Sequence, residues 1–439
     1  MNVHLRMLGC RLNQAEIDAM ARQFVALGHT LQAEPEQADW LVVNTCAVTK
    51  EAERKSRRLV RELARRAPHG EVLMTGCYAQ LAATEGGQLP GNLRLFDNQQ
   101  KETLVSTVTG VPPEDMEPIQ RDLLAGFSSR SRAFVKVQDG CDHECTFCIT
   151  TILRGPSRSR AAGEIVAEVQ ALHEAGFREV VLTGVQLGSY GEDCATEMNL
   201  AHLVRLILRE TDIERLRLSS LEPWDLAEDF FTLWENRRLC RHLHLPLQSG
   251  CDATLRRMRR RTSTREYEAL LNQARRQIPG IHISSDIIVG FPGETAAEYA
   301  SSEAFIRDCE FASLHIFRYS PREGTPASRM KGQITAGISR ERSARMHALA
   351  AQGRARFVNR HIGETAPVLW EQIVGATQQG YVHWGYTENY IPVYGAFPED
   401  LRQTITPALI TGYDAARDRA CAVPLSQLEP APPAGKIPA

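Results

Sequence analysis

Three cysteines, Cys141, Cys145 and Cys148, share one short loop that follows a strand-like run at residues 134–137. Three thiolates on a segment this short cannot separate, so they can cap three irons of one cubane cluster. The fourth iron then has no local cysteine and stays open to a chelating ligand. A zinc site usually brings a second Cys or His pair nearby. His143 lies inside the loop, so spacing alone leaves zinc open.

The sequence after this loop repeats one pattern. Strands are expected at 134–137, 179–183, 215–219, 242–245, 282–289 and 313–317. Helical periodicity fills 163–175, 200–209, 264–277 and 296–308. Repeated β-α units of this size build a parallel barrel or partial barrel. A last helix at 339–361 stops at Gly363. The chain then changes character. Short alternating strands at 368–375, 380–387, 390–394 and 409–413 suggest a small β-barrel of the oligonucleotide-binding sort. The proline-rich end reads as a disordered tail.

The first hundred residues read as β-α-β-α-β, a small parallel sheet. Strands at 3–8, 40–44 and 72–75 are each followed directly by a cysteine: Cys10, Cys46 and Cys77. Parallel strands place their C-terminal ends on one edge, so these distant cysteines are expected to converge. Gly9 and Gly76 allow tight turns beside them. Residues 110–118 carry three prolines and read as a linker. The expected α/β units are 1–115, a barrel at 127–358, a small β-domain at 360–428 and the tail 429–439.

Net charge is −2, so the chain is no polycation, but its basic residues are bunched. Arg54, Lys55, Arg57, Arg58, Arg61, Arg65 and Arg66 form one group. Arg154, Arg158 and Arg160 form a second, and Arg256, Arg257, Arg259, Arg260 and Arg261 a third. A local basic face can grip a polyanion, or can be a solvated helix surface. No apolar run is long enough to span a membrane, and the N-terminus reads as a strand, so a cytoplasmic location is expected. There, clustered cysteines favour metal binding over disulfides. Cys194, Cys240, Cys251, Cys309 and Cys421 belong to no ligand-spaced group and read as structural. His242 and His244 share one strand face, where packing explains them as well as a pocket does.

The Cys-x3-Cys-x2-Cys motif, with Phe147 before its last cysteine, resembles the radical S-adenosylmethionine superfamily. The words Gly9-Cys10-Arg11-Leu12-Asn13, Asn44-Thr45-Cys46-Ala47-Val48-Thr49 and Gly76-Cys77-Tyr78-Ala79-Gln80 resemble the N-terminal domain of the methylthiotransferases. Further matching words run from Arg154-Gly155-Pro156 to Gly290-Phe291-Pro292-Gly293-Glu294. Within that family, the residues after Cys10 resemble the threonylcarbamoyladenosine branch, called MtaB. The isopentenyladenosine branch typically has Gln-Met there, and the ribosomal-protein branch Pro-Lys. Gln186 departs from the His common in this branch.

The resemblance implies a 4Fe–4S cluster on Cys141, Cys145 and Cys148 that binds and cleaves S-adenosylmethionine. It implies an auxiliary 4Fe–4S cluster on Cys10, Cys46 and Cys77 that holds the transferred sulfur. The implied reaction places a methylthio group on C2 of N6-threonylcarbamoyladenosine in tRNA, with an electron donor such as flavodoxin or ferredoxin. Candidate cofactor contacts are Phe147, Gly184, Val185, Ser220, Glu222, Gln248, Ile288 and Val289. Candidate RNA contacts are Arg158, Arg160, Arg257, Arg260, Tyr386 and Tyr390, the last two in a TRAM-like barrel where aromatic rings could stack on bases. Alternatives are a ribosomal-protein aspartate or isopentenyladenosine as substrate, or a non-catalytic iron–sulfur RNA-binding protein. Oligomeric state is not legible.

Overall fold

The computed structural model describes residues 1–85, 89–112, 131–194 and 197–425. The expected linker lies mostly outside the described residues, and the tail wholly so. The N-terminal unit is a five-stranded parallel sheet in the order β2-β1-β3-β4-β5. Its strands are β1 (Asn2–Met7), β2 (Thr30–Leu31), β3 (Trp40–Thr45), β4 (Glu71–Gly76) and β5 (Leu93–Leu95), interleaved with α1 (Arg11–Ala26), α2 (Lys50–Arg66), α3 (Cys77–Glu85) and α4 (Leu104–Thr109). β3 and β4 are continuous apolar runs because both sheet faces are covered. Leu41, Val43, Val72 and Met74 pack on Val60 and Leu63 of α2. Val42 and Leu73 pack the other way, on Ile17, Met20 and Phe24 of α1. Thr49 caps α2 by accepting from the Ala52 amide at 3.1 Å.

The central unit starts with β6 (Arg132–Lys136). A short antiparallel pair, β7 (Gln138–Asp139) with β8 (Arg158–Ser159), brackets the cysteine loop and α5 (Thr150–Arg154). Then come α6 (Ala162–Glu174), β9 (Glu179–Thr183), α7 (Leu200–Glu210), β10 (Arg215–Leu218), β11 (His242–His244), α8 (Asp252–Met258), α9 (Thr264–Gln277), β12 (His282–Val289), α10 (Ala296–Asp308), β13 (Ser313–Arg318) and α11 (Ala336–Asn359). β6, β9 and β10 pair in parallel, as do β11, β12 and β13. The parallel bridges Leu216–Leu239 and Ser220–His244 join the two halves into a six-stranded arc. Helices cover its outside through one large apolar core. This is the partial barrel the alternation predicts.

The C-terminal unit is a closed barrel in the order β14-β15-β16-β18-β17. Its strands are β14 (Thr365–Thr377), β15 (Gly380–Thr387), β16 (Pro392–Phe397), β17 (Ile405–Asp414) and β18 (Arg419–Pro424). Four of the five are legible in the sequence. β18 is not, because its buried positions are the small residues Ala420 and Ala422. Tyr390, expected to open the third strand, lies outside it: it takes a left-handed φ of 63° in the turn before β16.

The inner face of the arc is polar at its N-terminal end. Glu179, fully buried, accepts from Arg217 at 2.7 and 3.1 Å. Burial pushes the Glu179 carboxyl up, but Arg217, with Arg132 and Arg215, outweighs it and holds the pKa at about 2. The C-terminal barrel plugs this end: the Tyr390 ring lies 4.5 Å below the Arg217 guanidinium. Arg215 donates to the Pro367 carbonyl at 2.7 Å. Among the described residues, no helix is long and apolar enough to cross a membrane.

Arg217→Met should strand a buried carboxylate and cost about 3–5 kcal/mol in chemical denaturation. In the native chain the Glu179 contribution is complete above its ordinary value of 4.5 and is lost as pH falls toward about 2. In the variant the depression of this carboxyl is removed, so this acid-linked loss should shrink or reverse.

Candidate cluster and cofactor site

Each N-terminal cysteine sits at the C-terminal edge of the sheet, after β1, β3 and β4 respectively. Cys46 and Cys77 are buried and Cys10 is exposed. The turns close because Gly9 and Gly76 take φ of +116° and +94°. A Cβ on Gly9 would lie 3.2 Å from the Cys46 Sγ, and one on Gly76 2.4 Å from the Thr45 carbonyl oxygen. Ser56 of α2 ties the Cys46 turn, donating to its carbonyl at 2.8 Å and accepting from its amide at 3.0 Å. Burial pushes the Cys46 thiol up to about 11, and the neighbouring Cys77 and Cys10 push it the same way. Three thiols that repel one another's ionised forms suit a cationic guest.

Cys141, Cys145 and Cys148 form the second set. Gly140 enters their loop with φ +73°, where a Cβ would strike the Pro156 carbonyl oxygen at 1.8 Å. The amides of His143 and Thr150 point at Cys141 Sγ and Cys148 Sγ, 3.4 Å each. Arg260 Nη1 lies 3.6 Å from Cys145 Sγ. Such donors stabilise thiolate ligands. Burial raises the Cys141 thiol to about 12, with Cys148 and Cys145 adding to the effect.

Among the described residues, only His244, Asp286 and His315 bring three ligand atoms within 4.8 Å of one another. The cysteine sets hold their sulfurs wider. A single zinc, with bonds of about 2.3 Å, would draw thiolates to roughly 3.8 Å. His143 is also engaged elsewhere: its Nε2 accepts from the Trp224 indole at 3.1 Å. Both triads therefore fit a cubane cluster better than one zinc ion.

One guanidinium links the two sets. Arg154 ends α5, the helix that follows Cys148. It reaches Glu16 at 3.0 Å, Asp139 at 2.8 Å and the Asn13 amide oxygen at 2.9 Å. Asn13 donates to the Leu8 and Thr45 carbonyls at 2.7 and 3.0 Å, fixing the turns that carry Cys10 and Cys46. Its oxygen also lies 3.7 Å from Cys10 Sγ. Glu16 takes a second cation, Lys101, at 2.9 Å. The side chains of Glu16, Arg154 and Lys101 are each 2 % exposed. Sequence reading places Arg154 in a basic run and misses this role. The signal available was its position between the cysteine loop and the Gly155-Pro156 turn.

The candidate cofactor contacts line the C-terminal ends of the barrel strands, with one exception. Phe147 and Ile288 pack with Met258 and Phe291. Gly184 is held against Gln138, whose Oε1 accepts from the Gln186 amide at 2.9 Å, and Val185 lies between them in the same turn. Gln186 itself accepts from Cys141 Sγ at 3.2 Å. Ser220 bridges to His244. Gln248 adopts φ 77° and donates its amide to the Asp286 carbonyl at 2.8 Å. Val289 is the exception: strand alternation turns it, with Ile287, into the helix-covered core.

The candidate RNA contacts separate. Arg158 is exposed, whereas Arg160 is committed to Glu168 at 2.8 Å and Arg257 to Glu298 at 2.8 Å. Arg260 is not an RNA-facing residue. Its side chain is 1 % exposed, paired with Glu222 at 2.5 Å and stacked 4.5 Å over Trp224. Tyr386 and Tyr390 stack on each other at 4.8 Å, and Arg132 covers both rings. Their faces seal the barrel, so they offer no platform for bases. Exposed cations without an ion-pair partner among the described residues include Arg58, Arg61 and Arg65 of α2, and also Arg256 and Arg261.

Residues 2–95 match the model described as "Uncharacterized protein family UPF0004", and residues 135–306 match the radical SAM superfamily. The chain is 35% identical over 409 residues to threonylcarbamoyladenosine tRNA methylthiotransferase MtaB of Bacillus subtilis, covering 90% of each chain. It is 31% identical over 438 residues to the tRNA-2-methylthio-N(6)-dimethylallyladenosine synthase of Corynebacterium urealyticum, covering 92% of this chain and 80% of that one. The fold is similar to that of the radical S-adenosylmethionine methyltransferase TsrM of Kitasatospora setae, with TM-score 0.53 and 14% identity over 74% of this chain and 75% of that one. The chain belongs to the radical S-adenosylmethionine methylthiotransferase family, in its MtaB branch.

Proposed function

We propose that this chain converts N6-threonylcarbamoyladenosine in tRNA to its 2-methylthio derivative, with a 4Fe–4S cluster on each cysteine triad. The observation that carries this reading is the pair of triads on one scaffold, joined through Arg154. When loaded, the Cys141 set supplies one-electron cleavage of S-adenosylmethionine, and the Cys10 set supplies the sulfur. The target is an unreactive aromatic C–H, so ordinary acid–base chemistry does not suffice.

The chain's own residues orient the ligands. Arg260 and the loop amides, all donors, set the thiolates of the Cys141 loop. The exposed basic face of α2, directly after the Cys46 turn, suits the phosphate backbone of tRNA. A small flavodoxin or ferredoxin in the cytoplasm would deliver the electrons.

Anaerobically loaded protein, given S-adenosylmethionine, a reductant and tRNA bearing threonylcarbamoyladenosine, should yield the 2-methylthio nucleoside by mass spectrometry. Product from isopentenyladenosine tRNA alone would overturn the substrate assignment. Cys46→Ala should still release 5′-deoxyadenosine but insert no sulfur; unchanged sulfur insertion would count against the second cluster. Arg154→Met leaves Glu16 and Asp139 short of a buried partner. It should cost about 3–5 kcal/mol in unfolding free energy and lower iron bound per chain at both sets.

A further inference from the structure

Four guanidinium groups surround the closed end of the barrel: Arg11, Arg132, Arg215 and Arg217. Two carboxylates answer them. Glu179 takes Arg217 and Arg215, at 2.7 and 3.7 Å, and Glu371 takes Arg132. Among the described residues Arg11 has no carboxylate within ion-pair distance. Its one polar partner among the described residues is the Tyr390 hydroxyl, 2.7 Å from Nη2, which Arg132 also approaches at 3.2 Å. The arginines hold the Tyr390 phenol below its ordinary range despite burial. The pocket thus carries a surplus of positive charge, and Arg11, which is partly exposed, is its free edge.

Arg11 is also the residue after Cys10 and the first of α1. Its guanidinium therefore lies between the auxiliary thiols and the barrel interior. Relatives of this chain act on adenosines with two kinds of N6 substituent, by their names. Dimethylallyl is apolar and uncharged. Threonylcarbamoyl ends in a carboxylate. C2 and the N6 substituent flank the same ring nitrogen, so an adenine held for reaction at C2 carries that carboxylate to the same side of the ring. An unpaired guanidinium beside the sulfur-bearing thiols, backed by a phenol that fixes its plane, matches a carboxylate in charge and fork geometry.

We propose that Arg11, oriented by Tyr390, binds the carboxylate of the N6-threonylcarbamoyl group and so selects this nucleoside over uncharged adenosines. The inference rests on the function proposed above and supplies the residue that reads the substrate.

The test uses cluster-loaded Arg11→Gln and Arg11→Lys proteins, with iron content and the reduced-cluster paramagnetic signal as checks that both triads are filled. Binding and turnover are read separately, on the same tRNA with and without the threonylcarbamoyl group. Native protein should prefer the modified tRNA. Arg11→Gln should lose about tenfold or more of that preference, the size of one charge-assisted hydrogen bond, mainly through KM. Affinity for unmodified tRNA should stay within about twofold, since only the carboxylate contact is removed. Arg11→Lys should recover part of the preference. An Arg11→Gln protein with full iron and the native preference overturns the proposal while leaving the function intact. Native protein that prefers the modified tRNA in binding yet forms no methylthio product overturns the function and leaves the contact supported.

Discussion

The architecture turns on a buried charge. Arg154 has no solvent to fall back on, so Glu16, Asp139 and Asn13 must all be in place for it to be accommodated. Glu16 and Asn13 belong to the N-terminal helix, and Asp139 to the strand before the cysteine loop. Each triad is thus positioned by a residue that the other half of the molecule holds. An apolar contact of similar area would stabilise the interface but tolerate sliding. A forked guanidinium with three fixed acceptors does not.

A second charged layer lies at the closed end of the barrel. Parallel strands whose outer face is covered by helices are usually apolar on both sides. Here Glu179, Arg215 and Arg217 point inward, and the C-terminal barrel supplies the lid that desolvates them. The small β-domain is therefore part of the central barrel's electrostatics and not merely appended to it. The exposed arginines lie elsewhere, among them those of α2, already visible as a basic run.

Much of this was legible in the sequence because it follows from periodicity. β9, β12, β15, α9 and α10 begin and end where the periodicity puts them. Convergence of Cys10, Cys46 and Cys77 followed from parallel strand direction alone. The remainder depends on long-range partners that no local pattern encodes. Tyr386 and Tyr390 look like stacking residues until Arg132 is seen lying across them. Arg260 looks like one of a surface cluster until Glu222 and Trp224 enclose it. Val289 was assigned to the cofactor by its place at a strand end, although the two-residue period turns it away. Arg154 was counted for its charge, and only the fold reveals that the charge is internal.

The hydrogen bond between Arg11 and Tyr390 joins residues 379 positions apart. During synthesis the first turn of α1 emerges long before the domain that holds its partner. Arg11, the residue after Cys10, lacks this partner until the C-terminal barrel is made and docked. Loops that long close late, and local elements fold first. Assembly around Cys10 is in this way deferred: a nascent protein can fold its N-terminal sheet early, but the partner of Arg11 arrives only with the C-terminal barrel.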